Sequence, residues 1–205
     1  MASVSYAHTM AKRLEFFFDY GSPYSYFADA QLPGLVERTG CEVVYRPMLL
    51  GGVFKSVGSH SPAAEPVEAK RKYFAVELRR AIAHYEVPFE SPPGWPINTL
   101  QIMRTAHAAQ REGVFEDFHR TVYSAFWASG KAIGDLRVFA ETLREAGLPA
   151  EKLLAASLEP DVKTELRETT EEAVERGAFG APTFFLDEEM FFGADRIPFL
   201  ERILS

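Results

Sequence analysis

The 205 residues contain a single cysteine, Cys41. No disulfide can therefore form within the chain, and no thiol pair is available for redox cycling. Cys41 opens an apolar, β-rich stretch and reads as a buried structural thiol. The histidines and this cysteine show no metal-ligand spacing, so no metal site is expected. No stretch approaches the ~20 consecutive apolar residues of a membrane span, and no G-x-S-x-G elbow marks a hydrolase serine. Positive charge is also in deficit: 22 Lys and Arg stand against 29 Asp and Glu, a formal net charge of −7. This argues against nucleic acid or an anionic membrane surface as partner. The densest basic cluster, Lys70, Arg71 and Lys72 with Arg79 and Arg80, has helical spacing and reads as a solvated face. The polar segment before Leu14, with Ser3, Ser5, His8, Lys12 and Arg13, lacks the apolar core of a secretory signal. A soluble protein of a reducing compartment, the cytoplasm, is expected.

What is present has a clear order. The length suits one large domain or one domain carrying an insertion. From Leu14 to Asp19 the run LEFFFD is short, apolar and bounded by Gly21 and Pro23, which favours a buried strand. Ser22 before Pro23 is the arrangement of an N-cap with proline in the first turn, and the helix it opens is expected to run to about Arg38, before Gly40. Glu42 to Arg46 reads as a second strand, giving a parallel, right-handed βαβ unit. Gly51, Gly52, Gly58, Ser59, Ser61, Pro62 and Pro66 then compose a long candidate binding loop.

Helical periodicity governs 67–85, 98–113, 114–129, 135–146 and 150–158, and again 161–176. Residues 183–186 and 190–192 flank a turn at Asp187–Glu189 and read as a hairpin, with a last helix over 198–204. The expected class is α/β, thioredoxin-like (βαβ…αββα) with an inserted all-helical domain. Its parts are 14–66 (thioredoxin-like, first part), 67–158 (inserted helices) and 159–205 (thioredoxin-like, second part).

In a thioredoxin arrangement the first strand leads to a C-x-x-C at the start of the helix. Here that place holds Ser22-Pro23-Tyr24-Ser25, and hydroxyls cannot cycle through a disulfide. What the motif retains is a helix start with N–H donors and a serine hydroxyl, which suit an anion supplied from outside.

The segments FFFDYGSPYSYF (16–27), RPMLLGGVFKSVGS (46–59), PPGWPINTLQIMR (92–104), RGAFGAPTFF (176–185) and FFGADR (191–196) together resemble the kappa-class glutathione transferases. They equally resemble the bacterial 2-hydroxychromene-2-carboxylate isomerases, which share the DsbA-like fold. The resemblance covers nearly all of 14–204. It implies glutathione as cofactor and a small aromatic molecule as substrate, isomerised cis to trans through a transient thiol adduct in aromatic catabolism.

The same resemblance implies that Ser22 hydrogen-bonds the glutathione sulfur, besides or instead of merely capping its helix. It implies a cis Ala181-Pro182 bond, where a trans proline would be ordinary, with Ala181, Pro182 and Thr183 presenting backbone to the cysteinyl unit. Ala194 and Asp195 then lie at the γ-glutamyl end, Asp195 receiving the amino group or else capping the last helix. Ser59 stands where the family often has asparagine, and Ala194 where animal kappa enzymes have serine; both bear on how tightly glutathione is held.

For the second substrate, Tyr24, Lys55 and Asn98 are the expected contacts, with Arg46 and Arg104 beside them and Phe54, Trp95 and Trp127 as further aromatic candidates; for Trp127 core packing is favoured. His84, His107 and His119 read as helix residues without a chemical role. A transferase that releases its conjugate, and a silent thioredoxin-fold binding module, remain the rival readings. Related folds often dimerise, so a homodimer is an open expectation that no residue stripe here marks.

Overall fold

The computed structural model describes residues 12–205; the reading of residues 1–11 as lacking a signal lies outside the described residues. Strands β1 (Arg13–Phe18), β2 (Glu42–Pro47), β3 (Thr183–Leu186) and β4 (Glu189–Phe192) form one sheet in the order β2-β1-β3-β4. β1 runs parallel to β2 and antiparallel to β3, and β3 and β4 make the expected hairpin. β1 is thus an inner strand covered on both faces, which is why its residues are mostly apolar, with Glu15 matched by Arg46 and Arg176.

Its side chains alternate between two cores, as the period of two requires. Phe16 and Phe18 meet Tyr45, and Phe16 stacks on Phe184 with ring centroids 5.1 Å apart. Phe17 turns to the other face, against Phe185, Met48 and Val53. That second face also carries an ion-pair network in which Arg46 reaches Glu15 and Glu172, and Arg176 reaches the same two carboxylates.

The link from β1 to β2 is two helices, α1 (Pro23–Asp29) and α2 (Leu32–Thr39), in place of the single helix expected. Pro33 explains the break: continuing α1 would drive its ring into the carbonyl of Asp29, four residues back, and it offers no N–H. Gly40, at φ +68°, ends α2 as expected.

The glycine-rich loop expected after β2 is also corrected. Residues Leu50–Val57 form α3, and the loop is confined to 58–67, with a short 3-10 turn at Pro62–Ala64 inside it. Gly51 and Gly52 argue against a helix on composition. Packing overrides them: a Cβ on Gly52 would stand 3.1 Å from Thr170 Cγ2, so glycine lets α3 approach the helix that carries Thr170. Leu49 N–H donates to Thr170 Oγ1 at 2.9 Å across the same contact.

Between β2 and β3 stand helices alone. After α3 come α4 (Glu68–Tyr85), α5 (Leu100–Arg111), α6 (Phe115–Tyr123), α7 (Leu136–Glu145), α8 (Ala150–Ala156) and α9 (Pro160–Glu175), the last of these bearing Thr170; α10 (Ile197–Leu204) closes the chain. This is the thioredoxin-like order read from the sequence. α6 runs on into a π-helical turn over Ser124–Ala128, where Ser129 N–H reaches back five residues to Ser124 O at 3.0 Å. Among the described residues no helix is long and apolar enough to cross a membrane, and no group of three or more His, Cys, Asp or Glu could hold a metal.

Of the helical histidines, His107 is buried on α5, and its Nε2–H donates to Pro47 O at 2.9 Å, pinning α5 to the end of β2. Burial lowers its pKa below the usual 6.5, outweighing the pull of Glu165. The native state therefore binds its proton less readily than the unfolded chain. The stability so contributed is present above about pH 6.5 and is lost as pH falls toward the folded value. His107→Gln, which keeps a donor but cannot titrate, is expected to flatten the fall in melting temperature between pH 7.5 and pH 5.5; an unchanged slope would count against this account.

Candidate functional site

The residues linking β1 to α1 are held from several sides. Ser22 N–H donates to Asp19 O at 3.0 Å, closing the turn. Tyr20 O accepts from Trp127 Nε1 at 2.7 Å, and Gly21 O from Trp95 Nε1 at 2.9 Å. His119 bridges Tyr20 and Asp29, its Nδ1 lying 2.8 Å from the Tyr20 hydroxyl and its Nε2 2.8 Å from Asp29 Oδ1. Both indoles and His119 come from the helical block between β2 and β3, so those helices impose the shape of the loop that carries Ser22. The π-helical turn is what brings Trp127 to Tyr20, and such turns recur at functional sites.

Asp19 is the base of this loop. Its buried carboxylate accepts from Gly21 N–H at 2.8 Å, from Leu50 N–H at the start of α3 at 2.8 Å, and from Thr99 Oγ1 just before α5 at 2.9 Å. Burial pushes the carboxyl above its usual 3.8, and the three donors hold it down without cancelling that push. The folded pKa exceeds the unfolded one, so this group's contribution is complete below about pH 3.8 and is lost as pH rises through the folded value.

Thr99→Val withdraws one donor from a buried charge. It is expected to cost about 1.5–3 kcal/mol at pH 7 and distinctly less at pH 4, where Asp19 is more protonated. Urea denaturation at the two pH values checks this, and an equal loss at both would contradict it.

Ser22 does cap α1: its Oγ accepts from Ser25 N–H at 3.2 Å. The same hydroxyl donates to Ala181 O at 2.9 Å, linking the loop to the turn before β3, where the Ala181-Pro182 bond is cis. Ser25, in the second thiol's place, is buried with a hydroxyl that has no partner.

A cavity of about 750 Å³ opens beside this junction, within the ~300–1,000 Å³ common for small-molecule sites. Ser22, Tyr24, Ser59, Ala181, Pro182, Ala194 and Asp195 all line it. Thr183 does not: it is buried in β3 with its hydroxyl on Gly180 O at 2.8 Å.

Gly193, two residues before Asp195, sits at φ +109°, a backbone conformation that L side chains rarely adopt, so glycine suits this turn. Asp195 makes no cap to α10. Its side chain is 65% exposed and meets Arg196 at 3.3 Å, which leaves it accessible to an incoming ammonium.

Two expected substrate contacts stand elsewhere. Lys55 is exposed on α3 and does not line the cavity, nor does Asn98, whose Oδ1 accepts from Leu100 N–H at 2.9 Å. Arg46 is committed to Glu15 and Glu172 on the far face of the sheet, and Arg104 is likewise absent from the wall. Of the aromatic candidates, Tyr24, Phe54 and Trp95 line the cavity, while Trp127 is fully buried behind Trp95.

One whole wall is missing from the residues that the sequence singles out. α4 contributes Phe74, Glu77, Arg80, Ala81, His84 and Tyr85. Their spacing of three to four residues is the signal for a shared face, but the basic residues among them read as a solvated one.

The family model for a DSBA-like thioredoxin domain matches residues 13–205. A protein of Sphingobium xenophagum named 2-hydroxychromene-2-carboxylate isomerase is 33% identical over 195 residues, covering 95% of this chain and 99% of that protein. A Caenorhabditis elegans protein named glutathione S-transferase kappa 2 is 31% identical over 202 residues, covering 91% and 89%. A solved 2-hydroxychromene-2-carboxylate isomerase structure superposes with a TM-score of 0.81 at 26% identity, covering 94% of both chains.

Proposed function

The chain belongs to the family of DSBA-like thioredoxin domains, in the branch that holds the 2-hydroxychromene-2-carboxylate isomerases and the kappa-class glutathione transferases, and from that premise we propose that it is a glutathione-dependent isomerase of the 2-hydroxychromene-2-carboxylate isomerase type. The observation that carries this reading is the Ser22 hydroxyl, fixed at the cavity wall where redox relatives need a thiol. When bound, glutathione would supply the sulfur nucleophile whose reversible addition turns a double bond of the ring-opened substrate into one free to rotate.

The residues present fit that group. Ser22 holds a hydroxyl proton that can turn from Ala181 O to the sulfur, while Ser25 N–H stays on the oxygen and strengthens it as a donor. The demand on it is modest. A thiol of pKa ~8.5 is only about 3% ionised at pH 7, and lowering that pKa by ~2 units takes ~2.7 kcal/mol. A charge-assisted hydrogen bond contributes about 1.5–3 kcal/mol, so the short α1, with little dipole of its own, is not the main source. Ala181 and Pro182 would hold the cysteinyl backbone, with Thr183 anchoring their turn, and Asp195 the γ-glutamyl ammonium. Ser59 and Ala194 complete the glutathione side. Tyr24, with Phe54, Phe74 and Trp95, would seat the aromatic substrate; Lys55 and Asn98 take no part in this arrangement. The reading carries the cytoplasm as location, since reduced glutathione must be at hand.

Incubation with 2-hydroxychromene-2-carboxylate and a trace of glutathione tests it: product should exceed the glutathione supplied many times over. Product capped at the glutathione added, with conjugate accumulating, would instead support a kappa-type transferase, the second reading, which the relative from C. elegans favours. No turnover and no glutathione binding would leave a silent binding module.

A further inference from the structure

Four side chains on the cavity wall carry or can carry positive charge: His60, Arg80, His84 and Arg196. Arg196 lies 3.3 Å from Asp195 and 5.6 Å from the Phe199 ring, and His60 lies 3.2 Å from Glu65. Arg80 likewise has a carboxylate partner among the described residues, Glu77, one turn back on α4 and itself on the wall. That pair sits largely in water, its side chains 66% and 35% exposed, and ion pairs of this kind are weak.

α4 also brings Phe74 to the cavity wall, its ring centroid 6.3 Å from both Tyr24 and Trp95. Arg80 follows Phe74 by six positions, a rise of about 9 Å along the helix, so a permanent cation stands beyond an aromatic stack on one wall of one cavity. A guanidinium presents a planar fork matched to a carboxylate. A bidentate contact from a ligand carboxylate would compete only with this weak, solvent-exposed pair.

Resting on the reading of the site as one that binds glutathione and an aromatic acid, we propose that Arg80 is its carboxylate-recognition residue, exchanging Glu77 for a ligand carboxylate. That carboxylate belongs either to the aromatic acid or to glutathione, and the test separates the two.

The whole chain and its Arg80→Gln and Glu77→Gln variants, at an exposed and a partly buried position of α4, are titrated calorimetrically with glutathione and, separately, with trans-cinnamate and neutral cinnamamide. Arg80→Gln is expected to weaken one of the two anionic ligands by roughly tenfold or more. Glu77→Gln, which frees the guanidinium, should tighten the same ligand severalfold, and cinnamamide should respond to neither. Weakening confined to cinnamate assigns Arg80 to the second substrate; weakening confined to glutathione assigns it to the tripeptide. An affinity within twofold of the parent for both ligands in Arg80→Gln, or looser binding in Glu77→Gln, overturns the proposal. A parent chain that binds cinnamate but not millimolar glutathione removes the proposed cofactor and leaves Arg80 to be judged on cinnamate alone. One that binds neither overturns both.

Discussion

Replacing Ser22 with alanine should lower kcat/KM for the isomerisation by about 10²–10³-fold, the range seen when a single preorganised donor is taken from a developing anion. Two effects combine in that number. The sulfur loses its donor, so its pKa climbs back toward that of a free thiol and the reactive fraction at pH 7 falls. Ala181 O also loses the hydroxyl that holds the turn before β3 against the α1 loop. The side chain caps α1 as well, so about 1 kcal/mol of stability should go with it, and melting curves separate that loss from the catalytic one. The pH profile decides the matter: in the variant the rising limb should move to higher pH, and absorbance of bound thiolate near neutral pH should disappear. Full turnover in Ser22→Ala would end the case for this hydroxyl as the sulfur's partner.

Trp127→Ala should be the most damaging single core change among those that join the two halves of the molecule. Trp127 is fully buried, stacks with Phe89 at 5.2 Å between centroids and meets Trp95 edge-on at 5.8 Å. Truncating a buried aromatic of this size costs about 3–5 kcal/mol, and the variant also strands Tyr20 O without its donor. At about 2–4 °C per kcal/mol for a chain of this length, the melting temperature should drop by roughly 6–20 °C. Trp127→Phe restores most of the ring and not the N–H. It should recover most of the stability yet remain impaired in turnover, because the carbonyl behind Ser22 would still lack its partner. If Trp127→Phe matches the parent in both, the indole only fills space.

The strands and most helices are legible in the sequence because their signals are local. LEFFFD favours a buried strand, and the residues at 135–146 and 161–176 repeat at the helical period. The positions of Ser22, Ala181, Pro182 and Asp195 come through resemblance, since those motifs sit at element junctions that a fold repeats. The features that stay hidden depend on distant partners. α3 exists because Gly52 meets Thr170 from a helix more than a hundred positions away. Asp19 looks like the end of a strand, and its three donors come from separate segments. Lys55 and Asn98, expected from their places beside the loop and ahead of the first inserted helix, do not line the cavity, whereas α4 brings Arg80 and Glu77 to it.

The one thiol within these residues, Cys41, is shut away beside β2, and both positions of the loop motif are hydroxyls. A cysteine at either place would be a standing target for peroxide and could become trapped as a mixed disulfide with the tripeptide proposed to bind there. Alcohol oxygens form no such bond. Under the proposed function, oxidation would then lower activity by depleting reduced glutathione without forming a disulfide in the pocket, and activity should return once glutathione is reduced again.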